Sequence, residues 1–439
     1  MKLVIKNGTV ITMDGARRII RGDILIDGST IKKIGRLTRS DTEKAKVIEA
    51  SGLVVSPGFI QTHVHLCQTL FRNLAEDMEL LDWLRLKIWP FEGAHSPQSV
   101  ALSAKIGLTE LIKCGTTAIM DMATVHHTDY IFQEIERSGI RAICGKAMMD
   151  DCAGAPKSLK ESTEWSISES LRLRNDWHGK ANGRIQFAFA PRFVLSCSEK
   201  LLCEVRDIAG DFGLLIHTHA SENRGELDEV IRRYQKSNIE YFHQIRLTGE
   251  QLCLAHCIWL NANELDIVQE TKTKVLHCPS SNMKLGSGIA PVPEMLSRGI
   301  TVSLGADGAP CNNNLDIFQE MRLAALIQKP RLGPKTLTAE KVFEMATLQG
   351  ARTLGMEKEI GSIEVGKKAD IIIMDLEKVH SLPEENIYSR IVYSARSEDV
   401  KTVIVDGAIL MKDRRLRTIE EEAIVKNIRP HIKKLLSRI

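Results

Sequence analysis

Hydrophobic and polar positions change rhythm twice along the 439-residue chain. The opening "KLVIKNGTVITMD" and "GDILIDGSTIKKIG" alternate apolar and polar residues between glycine-containing turns, the period of half-buried strands. The same rhythm returns towards the other end in "GKKADIIIMDL" and "VKTVIVDGAILMKD". Two β-rich ends predict a small β-sandwich domain assembled from residues 1–57 and 360–439 around an inserted body. Inside that body, short apolar runs recur at Gly58–His65, Thr117–Met122, Ile140–Met149, Ile185–Arg192, Gly213–Glu222, Gln251–Trp259, Thr273–Asn282 and Ile300–Pro310. Helix-like stretches such as "SPQSVALSAKIGLTELIKCG" and "NANELDIVQET" separate them. Eight strands alternating with helices predict an α/β fold, a parallel (β/α)8 barrel over residues 58–359.

In such a barrel, chemistry sits at the C-terminal ends of the strands. Most of the runs end in a polar or charged group: His63 and His65, Asp121, Asp150, Arg192, His219 and Glu222, His256, His277, and Asp307. One core histidine is ordinary packing. Polar groups at the same end of successive strands are not.

Two of these runs carry histidines one residue apart, His63/His65 and His217/His219. Side chains two apart on a strand share a face, so each pair can aim two imidazoles at one point, an arrangement that suits zinc or iron(II). Spacing alone leaves His217 and His219 equal. The first pair closes the first strand, and Asp307 in "SLGADGAP" supplies a carboxylate from the last. His219 adds a third nitrogen, with Glu222 three residues on, where the chain leaves the strand. With that ligand count complete, His217 reads as a barrel-interior neighbour. Three histidines and an aspartate leave a coordination position for water, whose pKa falls towards neutrality on a divalent ion. Glu222 is then placed to move protons, and His256, ending "QLCLAH", to orient the nucleophile or stabilise a tetrahedral intermediate.

The segments "PGFIQTHVH", "HTHASE", "LAHC", "LHCPSSNMKL" and "SLGADGAPCNNN", in this order, resemble the amidohydrolase superfamily. The similarity runs over nearly the whole chain and is greatest to the aminohydrolase branch that includes methylthioadenosine/S-adenosylhomocysteine deaminases and 5'-deoxyadenosine deaminases. The resemblance implies His63, His65, His219 and Asp307 as metal ligands, with Glu222, His256 and Asp307 as the catalytic groups. It implies one divalent metal ion, zinc first and iron(II) as the alternative. Binuclear relatives carry a lysine on strand four, and "IQFAFAPR" has none, so a mononuclear site follows. The implied reaction is hydrolytic deamination of a 5'-modified adenosine. Trp83 and Glu92 match the family's aromatic wall and ribose-hydroxyl acceptor, while Gln68, His277 and Asn282 are candidates for the purine edge.

One segment departs from this pattern. "APRFVLSCS" resembles the Pro-Arg-Phe segment of guanine deaminases, where the arginine helps hold the base; Arg192 has as alternatives a ribose, a 5' substituent or a nearby carboxylate. Guanine deaminase is therefore one alternative. Triazine hydrolase, which shares the character of "GIAPVPEML", is another. A non-catalytic scaffold on this fold requires lost ligands, and every expected ligand is present.

Composition narrows the partners. The chain has 59 basic and 56 acidic residues, which provides no electrostatic footprint for nucleic acid or an anionic membrane. No apolar run approaches the ~18 residues of a membrane span, and "MKLVIKNGTVITMDG" lacks the tripartite pattern of a secretory signal. Ten cysteines show no framework spacing, and Cys253 and Cys257 in "CLAHC" lie in an apolar run rather than a zinc knuckle. These features predict a reduced cytoplasmic protein acting on a small molecule, compatible with a homo-oligomer.

Overall fold

The computed structural model describes residues 2–439. Eight strand segments form the barrel: β1 (Phe59–Val64), β2 (Thr116–Met122), β3 (Arg141–Gly145), β4 (Ile185–Phe187), β5 (Ile216–Ala220), β6 (Leu252–His256), β7 (Lys274–His277) and β8 (Val302–Leu304). β1 to β4 are hydrogen-bonded in parallel, as are β5 to β8. Bridges Phe189↔Ile216 and Phe193↔His219 close one seam, and Val64↔Asp307 closes the other. The strands are buried on both faces, which is why they read as apolar runs rather than alternations. At the second seam the backbones nearly touch. A Cβ on Gly305 would lie 2.6 Å from the His63 carbonyl oxygen, so glycine there lets the last strand deliver Asp307 beside the first.

Local signals set the helices between the strands. Ser96 caps the helix Pro97–Lys113, with Ser99 closing the capping box and proline in the first turn. Asn261 and Glu264 do the same for Ala262–Glu270. The helix after β5, Arg224–Tyr234, is capped by Asn223 and Glu226.

The terminal strands join into one nine-stranded sheet in which Val54–Pro57 pairs with both Lys2–Ile11 and Ile371–Met374. The sheet curls round a core of its own, made of Ile5, Ile24, Ile26, Ile31, Ile371 and Ile404 among others. Thr30, in the edge strand Thr30–Gly35, also bridges Lys368, just before the interior strand Ile371–Met374. The final helix, Glu421–Leu436, leaves this sheet and lies on the barrel helix Pro97–Lys113, tied by Lys113 to Glu421 at 2.7 Å. Among the described residues no helix is long and apolar enough to cross a membrane. All ten cysteines are free, Cys253 and Cys257 included.

Candidate metal centre and active site

The C-terminal ends of β1, β5 and β8 converge. One ligand atom each from His63, His65, His219 and Asp307 lies within 4.8 Å of the others, and Glu222 and His256 form an adjoining group that shares Asp307. His65 Nδ1 donates to the Met122 carbonyl at 2.8 Å, and His219 Nδ1 to the Arg192 carbonyl at 2.6 Å. Both protons are thereby committed to Nδ1, so two Nε2 lone pairs face each other across 3.3 Å. His63 Nε2 lies 3.3 Å from Asp307 Oδ1, His65 Nε2 lies 3.4 Å from it, and His63 Nε2 is buried without a hydrogen-bond partner. Opposed lone pairs around a buried carboxylate are repulsive unless a cation lies between them, so the donor set fits a divalent metal ion.

Electrostatics point the same way. Burial holds His65 down to about 4, with the neighbouring His63 adding to the effect. Burial, then His63 and His65, keep His219 well below its usual range. Burial lowers His63 as well, so all three imidazoles are pushed towards the neutral form that ligands need. Burial alone pushes Asp307 upwards, but His63, His256 and His65 together bring it well below the usual carboxylate range. Glu222 moves oppositely: burial first, then the charges of Asp307 and Glu226, raise it well above its ordinary value. A carboxyl pushed towards its protonated form 3.4 Å from His256 Nε2 is placed to carry a proton.

The backbone is strained at these positions. His256 has φ of 73° and Asp307 of 63°, left-handed values that cost a non-glycine residue about 1–3 kcal/mol. Ser221 and Cys257, flanking the site, are left-handed too. Such strain persists where the surrounding fold holds it in place.

The description of the amidohydrolase family matches residues 54–410 of this chain. The chain belongs to the amidohydrolase family. This amidohydrolase is 40% identical to a 5'-deoxyadenosine deaminase of Methanobrevibacter smithii, over 95% of this chain and 94% of that one. It is 36% identical to a 5-methylthioadenosine/S-adenosylhomocysteine deaminase of Syntrophomonas wolfei, over the full length of both. Its fold superposes on an adenosine deaminase from Xanthomonas campestris with bound zinc, with a TM-score of 0.92 and 27% identity, covering 99% of this chain and 98% of that one. It is a hydrolase of C–N bonds with a divalent-metal site.

Beside the metal centre lies a cavity of about 30 Å³, lined by Gln68, Trp83, Arg192, Phe193 and Glu226 together with the catalytic cluster. Trp83 ends a helical turn, and a π-helical turn, Leu84–Ile88, follows over the site before Trp89–Gly93 brings Glu92 round behind it. Such π-turns occur mostly at functional sites. Glu92 does not line the cavity. Arg192 Nη1 donates to its Oε2 at 2.5 Å, Arg192 Nη2 to its Oε1 at 3.2 Å, and Gln68 Nε2 to Oε1 at 2.8 Å. Arg192 thus pairs with a nearby carboxylate, one of the alternatives open for it, while still lining the cavity. Gln68 Oε1 stays buried without a partner, and a Cβ on Gly308 would meet it at 2.0 Å.

Two expected purine contacts are absent from the cavity. Asn282 does not sit at a strand end. β7 stops at His277, and Asn282 belongs to the following helical turn, Pro279–Lys284, where its Oδ1 accepts from His256 Nδ1 at 2.8 Å. His277 is buried away from the cavity lining, with neither ring nitrogen partnered, and burial lowers it to about 3. His217 supports rather than joins the cluster, its Nε2 2.6 Å from His63 Nδ1. Asp121 accepts the Leu66 N–H at 2.8 Å just beyond His65, and Asp150 accepts the Ser198 N–H at 2.7 Å, fixing loops rather than facing substrate.

Sequence reasoning missed three residues. Glu226 accepts the Glu222 N–H at 2.8 Å, and the signal was available in the "ENRGE" capping box. Ser281 donates to Asp307 Oδ2 at 2.6 Å, and Glu320 holds the Ser280 N–H at 3.2 Å. Nothing in their spacing announced these two.

Proposed function

We propose that this amidohydrolase hydrolyses the 6-amino group of a 5'-modified adenosine (5'-deoxyadenosine, methylthioadenosine or S-adenosylhomocysteine), giving the inosine analogue and ammonia. The carrying observation is the buried Glu222, its carboxyl raised by burial, beside the cluster of His63, His65, His219 and Asp307, in a chain alike from end to end to deaminases of such nucleosides.

His63, His65, His219 and Asp307 hold one ion, with zinc the best match to a three-nitrogen, one-oxygen set. The bound ion supplies Lewis acidity that makes water nucleophilic at neutral pH. Glu222 gives its proton to a ring nitrogen of the purine as water adds at C6, takes up the proton that water loses, passes it to the amine that leaves as ammonia, and recovers its own proton from the new C6 hydroxyl as the carbonyl forms. His256, with Nε2 facing Glu222, accepts from the attacking water and orients it. Trp83 covers the purine face. The barrel domain spans 58–359 and the composite β domain spans 1–57 and 360–439, the curled sheet supporting the division and the final helix riding on the barrel. Nine buried free cysteines and one partly buried suit a reducing cytoplasm.

A second reading has one specific observation in its favour. Arg192 and Gln68 line a small cavity beside the metal cluster and consume Glu92, the expected ribose acceptor, so a free aminopurine base such as guanine is the competing substrate. An ultraviolet assay of adenosine, 5'-deoxyadenosine, methylthioadenosine, S-adenosylhomocysteine and guanine with zinc-loaded enzyme separates the two. The highest kcat/KM should fall on a 5'-modified adenosine. Preference for guanine selects the second reading.

A further inference from the structure

The turn Pro279–Lys284 follows β7 and carries two adjacent side chains that reach into the site from behind. Ser281 Oγ donates to Asp307 Oδ2 at 2.6 Å. Asn282 Oδ1 accepts from His256 Nδ1 at 2.8 Å. Ser281 and Asn282 are each about 1% exposed or less, so neither bond competes with water.

The turn itself is clamped at both ends. Glu320, fully buried and raised by burial to about 7, accepts the Ser280 N–H at 3.2 Å and the Asn312 amide at 2.8 Å. Lys284 Nζ donates to the Pro310 carbonyl at 2.9 Å and pairs with Glu76 at 2.7 Å. The turn is therefore bolted to the loop that follows β8, the loop that bears Asp307.

We infer that Ser281 and Asn282 are positioning residues that divide the work between Asp307 and His256. Ser281 donates to Asp307 Oδ2, while Oδ1, which accepts the Gly308 N–H at 2.7 Å, is the oxygen that faces His63 and His65. By accepting from His256 Nδ1, Asn282 fixes a proton on that nitrogen and turns Nε2, buried and otherwise unpartnered, towards Glu222. One short turn thus sets which oxygen of the aspartate meets the metal and which nitrogen of the histidine meets the reaction. The inference rests on the roles proposed above for Asp307 and His256, but its first readouts need no substrate.

Ser281→Ala should weaken zinc binding about 10- to 100-fold in a chelator competition, the usual cost of losing a partner of a ligand. Unchanged zinc affinity overturns the role of Ser281. For Asn282, long-range proton–nitrogen correlations of metal-free, ¹⁵N-histidine protein read the tautomer directly, His256 being the signal missing from His256→Gln. Wild type should show Nδ1 protonated. Asn282→Leu should lose that preference and lower kcat about 10- to 100-fold at unchanged KM. Asn282→Asp, an acceptor that keeps the packing, should retain the Nδ1–H tautomer and serves if the leucine variant does not fold. A tautomer unmoved in Asn282→Leu, or reversed in Asn282→Asp, overturns the inference. So does a loss confined to KM, which marks Asn282 as a substrate contact. If the substrate screen fails while the tautomer behaves as stated, the proposed substrate is wrong and the positioning stands.

Discussion

Two buried polar clusters lie at opposite ends of the same barrel, and their difference separates structure from chemistry. At the floor, Arg141 opens β3 and donates to both oxygens of Asp370, Nε at 2.8 Å and Nη2 at 3.1 Å; Asp370 Oδ1 also takes the Asp406 N–H at 2.7 Å. Arg141 and Asp370 each have side chains 2% exposed, as hidden as the metal cluster at the mouth. Here Asp370 is matched from several sides, and its carbonyl takes the Gly58 N–H where the sheet passes into the barrel. At the mouth, the Nε2 atoms of His63 and His256 have no hydrogen-bond partner, and His256 and Asp307 hold left-handed backbone. Buried charge by itself marks neither end as functional. Satisfaction separates them: the paired cluster staples two parts of the fold, and the unpaired one holds donor atoms whose arrangement fits a divalent ion.

The sharpest way to break this contrast is Glu222→Gln. Turnover should fall about 10²- to 10⁴-fold, the range of a lost general acid–base group. Zinc content, read by elemental analysis, should stay stoichiometric, because Glu222 lies outside the proposed ligand set of His63, His65, His219 and Asp307. Wild-type ammonia release would remove Glu222 from the chemistry. Next comes the floor. Arg141→Met leaves Asp370 buried and unpaired and should lower unfolding free energy by about 3–5 kcal/mol in denaturant titrations. The specific activity of the folded fraction should hold. Activity lost without stability would erase the distinction between the two ends.

The smallest effect belongs to an exposed pair. Lys200 lowers Glu164 to about 2 by a hydrogen bond across two outer helices. A carboxyl lowered in the fold stabilises above its unfolded pKa of 4.5, and that contribution is lost as pH falls from there to about 2. Water and salt screen such pairs, so Glu164→Gln should melt like wild type at pH 7 and high salt. A clear drop there would show that pairing, rather than burial with pairing, governs stability in this molecule.

Much of this was legible in the chain. The eight apolar runs became the eight strands, trimmed mainly at their polar ends: Thr273–Asn282 shrank to Lys274–His277, because Pro279 starts a helical turn. That trimming is what moved Asn282 from the purine edge to the back of His256. The pairing of Arg192 with Glu92 joins residues a hundred positions apart, and no local period encodes such a contact. The π-turn after Trp83 was equally silent, since "LLDWLRLKIWPFE" reads as ordinary helix.

By itself the sequence determined the order of strands and helices, the two-ended β sheet and the set of residues bearing lone pairs at strand ends. Those follow from periodicity and from turn and cap chemistry, which act between near neighbours. Only the tertiary structure decided which nitrogen of each histidine is free, which group holds each oxygen of Asp307, and that Glu92 pairs with an arginine. Those are set by hydrogen bonds that close across the barrel, where a side chain's role depends on the partner the fold brings to it.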